Sequence, residues 1–195
     1  MVLEVAQFKL HRSLKQTLKR FINDPRCEIR IDTAFERVIS ACALSLRDGP
    51  PGHPVQLQGG EKPDTWIVEE MVQAYSELHR AGFAHSVETW VNGELVGGLY
   101  CVSLGAAVFG ESMFSVQPNG SKIALAALVC LCRKNGIRLI DCQQNTSHLS
   151  SLGAVEMPRA MFQAHVKTSS IQAPAQWKFE PLYWHELMNS RAAGT

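Results

Sequence analysis

Long apolar runs are missing from this sequence of 195 residues. Its most hydrophobic stretch, IALAALVCLC at 123–132, opens from a Ser-Lys pair. It is far shorter than the ~20 residues that cross a bilayer, so no membrane partner is expected. The opening MVLEVAQFKLHRSLKQTLKRF has no charged segment leading into an apolar core and no small-residue cleavage site. It does not read as a secretory signal, and a cytoplasmic location is expected. Cysteines at metal or redox spacing are missing too. Cys27, Cys42, Cys101, Cys130, Cys132 and Cys142 include no CxxC and no Cys/His ligand pattern. Reduced, buried thiols are the plain reading, and no metal site is expected. A nucleophilic thiol at Cys142 has no histidine at a telling distance in sequence. A strong charge of one sign is also absent. A net charge of +1 argues against a protein that coats nucleic acid, and no DNA partner is expected.

What is present suits one substantial globular domain, or one domain plus a partial second, with 46% hydrophobic and 19% charged residues. The charge is unevenly spread. Lys9, Arg12, Lys15, Lys19, Arg20, Arg26 and Arg30 face only Glu4, Asp24 and Glu28 within the first thirty residues. KLHRSLKQTLKRF predicts a helix with Leu10, Leu14, Leu18 and Phe21 on one face and Arg12, Lys15 and Lys19 on another. That basic face is either ordinary solvated surface or a local patch for phosphates.

Further along, CEIRI reads as an extended piece, and residues 34–46 as a second amphipathic helix capped by Asp32 or Thr33. RDGPPGHPVQLQGGEKPD breaks all periodicity and predicts an exposed loop. A third helix follows, capped by Asp64 or Thr65, with Glu69 and Glu70 near its positive end and Gly82 closing it. Residues 84–115 are strand-like, with VNGE as an Asn-Gly hairpin turn. Gly97, Gly98 and Gly105 suggest bulges or close backbone approach. NGSKIALAALVCLCRKNG predicts a buried helix, IRLIDCQ a short strand, and SHLSSLGA and PRAMFQAHVK short helical pieces. The order of helices and antiparallel strands indicates an α+β fold.

Four places carry chemistry-bearing residues, each with a structural alternative. Glu111, in GESMFS, interrupts apolar sequence and needs either a structural partner or a site to face. Asp141 and Gln143 lie two apart in a strand, where they would share a face; alternatively, Asp141 only ends the strand and caps the next turn. In AHSVE, His85 and Glu88 make either an acid–base pair or a satisfied histidine beside an edge-strand glutamate. Trp66 is either core or a base-stacking platform.

Taken together, TWIVEEMVQAYSELHRAGFAHSVETW, LVGGLYCVSLG, GESMFS, the Ser-Lys-x-Ala-Leu pattern, LIDCQ and HLSSLGA closely resemble the leucyl/phenylalanyl-tRNA–protein transferases, over most of residues 8–165. The resemblance implies a GNAT-like acyltransferase domain, here at 63–195, after a small N-terminal part at 1–62. The family's opening segment, with its tryptophan and SPDPR motif, has no counterpart in the sequence, so that N-terminal domain is expected to be shortened. NGSK stands for the family's NASK, and GLYC for its GLYG.

The implied activity is transfer of Leu or Phe from aminoacyl-tRNA to proteins beginning with Arg or Lys, which marks them for N-end rule degradation. Leu-tRNA or Phe-tRNA and those acceptor proteins are the implied partners, and no cofactor is implied. By resemblance, Asp141, Gln143 and Glu111 belong to the reaction centre. Leu99, Val108, Leu125, Leu128 and Ile140 map onto the amino-acid pocket. Trp66 and Tyr75 lie near the terminal adenosine, and the basic helix carrying Arg12, Lys15 and Lys19 meets acceptor-stem phosphates. Two other readings stand beside this one: a tRNA- or N-terminus-binding protein without turnover, and an acetyl-CoA-dependent N-acetyltransferase. The second wants a glycine-rich pyrophosphate turn, whereas QPNGSK holds one glycine.

Overall fold

A computed structural model of the protein describes residues 1–44 and 69–188. Their strands are β1 (Val2–Glu4), β2 (Cys27–Ile31), β3 (Ala84–Val91), β4 (Glu94–Leu104), β5 (Ala107–Ser115) and β6 (Leu139–Asp141). Their helices are α1 (Arg12–Asn23), α2 (Phe35–Leu44), α3 (Glu69–Arg80), α4 (Gly120–Lys134), α5 (Ser147–Ser151), α6 (Arg159–Ser169) and α7 (His185–Met188). The fold is α+β, as expected. The Pro/Gly-rich stretch, Trp66 and the Asp64/Thr65 cap lie outside the described residues.

All six strands form one sheet in the order β1-β6-β5-β4-β3-β2. Every neighbouring pair is antiparallel except β5 and β6. Local turn chemistry explains the central hairpin: Asn92 and Gly93 both take positive φ, 53° and 77°, as a tight Asn-Gly turn requires. Two antiparallel neighbours can be joined by such a turn, but a parallel pair needs a crossover. Here α4 supplies it, carrying the chain from β5 to β6. It crosses so close to the sheet that a Cβ on Gly97 would lie 2.6 Å from the backbone of Gly120. One on Gly120 would lie 2.6 Å from the Val96 carbonyl. The close approach expected at Gly97 is thus met by a second glycine on the helix.

Apolar residues fill both faces of the sheet. One cluster gathers Leu14, Leu18 and Phe21 of α1, the buried face of α4, and Val87, Leu99, Val108 and Ile140 from the strands. Each large apolar side chain buried there contributes roughly 1.5–3 kcal/mol. The other cluster joins Phe35, Val38, Ile39 and Cys42 of α2 to Ala84, Tyr100 and Phe114, with Tyr75 of α3 packed against it.

The second helix starts differently from the sequence expectation. Neither Asp32 nor Thr33 caps it. The amides of Thr33 and Ala34 donate to Glu88 Oε1, at 2.9 and 2.8 Å, across 55 and 54 residues of sequence. Glu88 lies on β3, between β2 and β4, so it is not an edge-strand residue. It is fully buried. Five donors surround it: those two amides, the Thr33 hydroxyl, Ser86 Oγ at 2.7 Å and Trp90 Nε1 at 2.9 Å. A buried carboxylate tolerates such a place only when its oxygens are fully hydrogen-bonded.

Candidate active site

The site lies where the parallel pair comes apart. β5 and β6 share only two register positions, Val108 with Ile140 and Phe109 with Asp141. Then β6 ends, while β5 runs on to Ser115. Openings beyond the carboxyl ends of parallel strands are favoured ligand positions, because side chains there project past the packed sheet. Gly110 keeps the two backbones close at the fork: a Cβ there would stand 3.2 Å from the Asp141 carbonyl.

Glu111 sits at the fork as an extra residue. Tyr100 pairs with Ser112 and Cys101 with Gly110, so no residue of β4 lies opposite Glu111. Such a bulge re-aims the extra side chain out of the regular alternation. Its Oε2 accepts from Tyr75 Oη at 2.9 Å and from Gln143 Nε2 at 2.8 Å. Among the described residues, no donor reaches Oε1. The charge in GESMFS therefore has structural partners and keeps one oxygen open.

Asp141 and Gln143 do come together, but not by strand alternation. β6 stops at Asp141, and Gln143 has a left-handed backbone, φ 56°. The Gln143 amide donates to Asp141 Oδ1 at 2.9 Å, a side-chain-closed turn that Asp favours. Asp141 thus ends its strand and stands in the site at once. That turn swings the Gln143 amide group towards Glu111. Asp141 Oδ2 accepts no hydrogen bond among the described residues.

Tyr75 reaches Glu111 from α3. Its phenol is held well above the usual range, first by burial, then by the charge of Glu111 and the hydrogen bond to it. It therefore stays a donor at any physiological pH. Cys142, next to Asp141, is pushed up to about 11 by burial and then by the Asp141 charge. Such a thiol holds little thiolate near neutrality and is a poor nucleophile.

Leu99, Val108, Leu125, Leu128 and Ile140 are all buried in one cluster with α4. They are packed together as closed apolar core. Arg12 and Lys19 are exposed on α1, and Lys15 is half-buried.

His85 has a partner the sequence did not suggest. Its Nδ1 lies 2.7 Å from Asp32 Oδ2, and its ring stacks on Trp177 at 4.0 Å. His85 and Glu88 are not an acid–base pair. Asp32 takes a left-handed φ of 58° between β2 and α2, and nothing in its local sequence announced that.

A fork with one aimed carboxylate, a second beside it, and amide and phenol donors can orient an amine and accept a proton from it. Those are the means of a group-transfer enzyme that positions two substrates.

The comparisons narrow that class. The family model described as leucyl/phenylalanyl-tRNA protein transferase matches residues 2–167. A leucyl/phenylalanyl-tRNA–protein transferase of Polaromonas sp. strain JS666 is 57% identical over 190 residues, covering 97% of this chain and 70% of that protein. The proteins of the same name from Albidiferax ferrireducens and Burkholderia pseudomallei are 53% and 46% identical, each across the whole chain and 72% of their own length. The chain belongs to the leucyl/phenylalanyl-tRNA–protein transferase family.

Proposed function

We propose that this protein transfers Leu or Phe from an aminoacyl-tRNA to the α-amine of proteins that begin with Arg or Lys, marking them for N-end rule degradation in the cytoplasm. One observation carries the reading: in a chain of this family, Glu111, Tyr75, Gln143 and Asp141 converge at the fork of β5 and β6.

The reaction exchanges an ester for an amide. The acceptor nitrogen attacks the ester carbonyl carbon and forms the C–N bond. The bond from that carbon to the ribose oxygen breaks, and the proton lost by the amine ends on that oxygen. The acyl group arrives activated, so no separate energy source is needed. An α-amine has a pKa of about 7.7–8.0, and a useful share is neutral at physiological pH. Positioning two substrates is worth roughly 7–11 kcal/mol, and a general base adds about 10²–10⁴-fold. Geometry therefore dominates and proton handling refines it.

In this reading, Gln143 orients the amine or the carbonyl and Asp141 relays the proton through Oδ2. Glu111 holds a cationic group of a substrate with Oε1 while Tyr75 and Gln143 fix Oε2. Leu99, Val108, Leu125, Leu128 and Ile140 line the amino-acid pocket once that core opens. An apolar cup discriminates by roughly 1–3 kcal/mol per methylene, enough to prefer Leu and Phe over smaller side chains. Trp66 and Tyr75 meet the terminal adenosine, and Arg12, Lys15 and Lys19 meet acceptor-stem phosphates. The GNAT-like assignment of 63–195, after a small N-terminal part at 1–62, belongs to the same proposal.

The test is transfer of labelled Phe or Leu from aminoacyl-tRNA to a peptide beginning with Arg, beside a peptide beginning with Glu. Transfer to the Arg peptide that falls sharply in folded Asp141→Ala and Glu111→Ala is expected. Binding of tRNA without any transfer sinks the enzymatic reading in favour of a binding protein. Co-purified CoA with acetyl transfer sinks it in favour of an acetyltransferase.

A further inference from the structure

An opening lies on the α2–α3 side of the sheet, beyond Tyr100. It is a cleft of about 450 Å³ whose walls include Arg30, Asp32, Phe35, Arg37, His79 and Trp90. Two guanidinium groups meet there over one indole. Arg30 stands 4.2 Å and Arg37 5.2 Å from the centre of the Trp90 ring. Arg30 also pairs with Glu28. Among the described residues, Arg37 pairs with no carboxylate. Arg37 lies in the first turn of α2, where a cation is disfavoured by the helix dipole. The amides at that helix end are spent on Glu88, so they leave no anion site of their own. The cations are brought together at a cost that an incoming anion offsets, and paired guanidinium forks suit phosphate oxygens.

Carboxylates line the cleft as well. Glu36 is exposed. Asp32 is held by His85 Nδ1 at 2.7 Å and the Ser86 amide at 2.8 Å. A bare anion meets this mixture poorly. A nucleotide matches it, with a phosphate for the guanidinium pair and hydroxyl or exocyclic amino donors for the carboxylates.

The cleft is also joined to the fork. His79 follows Tyr75 by one turn of α3 and stacks on Phe35 at 4.2 Å. Phe35 touches Tyr100 at 6.1 Å, and Tyr100 touches Tyr75 at 5.1 Å. We infer that this cleft binds one nucleotide of the RNA substrate upstream of the aminoacylated end, its phosphate on Arg30 and Arg37. The inference rests on the proposed transferase reading for its ligand. It adds a binding position on the face of the sheet opposite α1.

The test is equilibrium binding of deacylated tRNA at several salt concentrations, to wild type and to the double variant Arg30→Gln with Arg37→Gln. The double variant is expected to bind at least about tenfold more weakly at low salt. Its log–log salt slope should be shallower by roughly 0.7 for each single-strand phosphate it no longer neutralises. Arg37→Lys, which keeps the charge, is expected to retain the slope. If the double variant does not fold, Arg37→Gln alone gives the reading, since that side chain is exposed.

Unchanged affinity and slope in a folded variant overturn the proposal. So does inorganic phosphate binding that Arg37→Gln removes while tRNA affinity stands, which means a free-anion site only. A raised KM for the acceptor peptide with tRNA affinity intact overturns it in favour of a protein partner at the cleft. Wild type that binds tRNA through this cleft but transfers nothing sinks the transferase reading and leaves the cleft standing.

Discussion

Glu88 and Glu111 are the same residue type in the same sheet, two strands apart, and they are held in opposite ways. Glu88 is fully buried and takes five hydrogen bonds, all from its own chain. Glu111 is half-buried and takes two, both on one oxygen. A carboxylate with every lone pair engaged is a structural bolt: it caps α2 and ties β3 to the β2–α2 connection. A carboxylate with one oxygen held and one open is oriented but not spent. The number of donors, and whether the fold supplies all of them, separates the two roles better than residue type or sequence neighbourhood.

Removing each carboxylate should separate the roles. The largest effect expected is from Glu88→Ala, which strands two amides, two hydroxyls and the Trp90 indole N–H. Losing one partner of a buried charged network costs on the order of 3–5 kcal/mol. The urea midpoint should fall accordingly, with the protein failing to fold at the upper end of that range. A destabilisation below about 1 kcal/mol would erase the distinction between the two carboxylates. Glu111→Gln should behave in the reverse way. It keeps the shape and changes stability by less than about 1 kcal/mol, while transfer drops by about 10²-fold or more, as the proposed place of Glu111 in the reaction centre requires.

Smaller changes refine the picture of Glu111. Tyr75→Phe removes one of its two donors, so a fall of about tenfold in kcat is expected, consistent with a hydrogen bond to a charged group worth roughly 1.5–3 kcal/mol. Folding should hardly change, because Gln143 still holds the same oxygen. An unchanged kcat would show that Gln143 alone suffices to aim Glu111.

The effect that is smallest near neutral pH is an alkaline sensitivity that involves neither carboxylate. Burial pushes the Cys142 thiol up to about 11 and the Cys130 thiol up to about 12, from an ordinary value of 9.0. The folded chain keeps these protons where the unfolded chain releases them. Their contribution to stability is therefore complete below about pH 9 and is lost as pH climbs through the folded values. Urea midpoints should stay level up to about pH 8.5 and decline beyond it; a rise above pH 9 would reverse the sign.

Helix periodicity, the Asn-Gly hairpin and the glycine stops were legible because each is decided within a few residues. The Leu14, Leu18 and Phe21 stripe predicted α1 and packs as expected. Resemblance named Glu111, Asp141, Gln143 and Tyr75 before any geometry, and the structure gathers all four. Strand alternation failed for Asp141 and Gln143 because β6 is only three residues long and the chain turns left-handed at Gln143. Local capping rules failed at α2 because the cap comes from Glu88, more than fifty residues away.

The sequence by itself determined the helices and strands from α1 to α6, though neither β1 nor α7, and it determined which family the chain belongs to; no described helix is long and apolar enough to cross a membrane. Only the tertiary structure decided which carboxylate has both oxygens engaged and which keeps one open. It set Glu111 on a bulge and paired His85 with Asp32. It also brought two arginines onto one tryptophan. Periodicity and turn chemistry act over one or two turns of chain. These hydrogen-bond networks also need donors that arrive from 32 to 55 residues away, once the sheet has fixed where they stand.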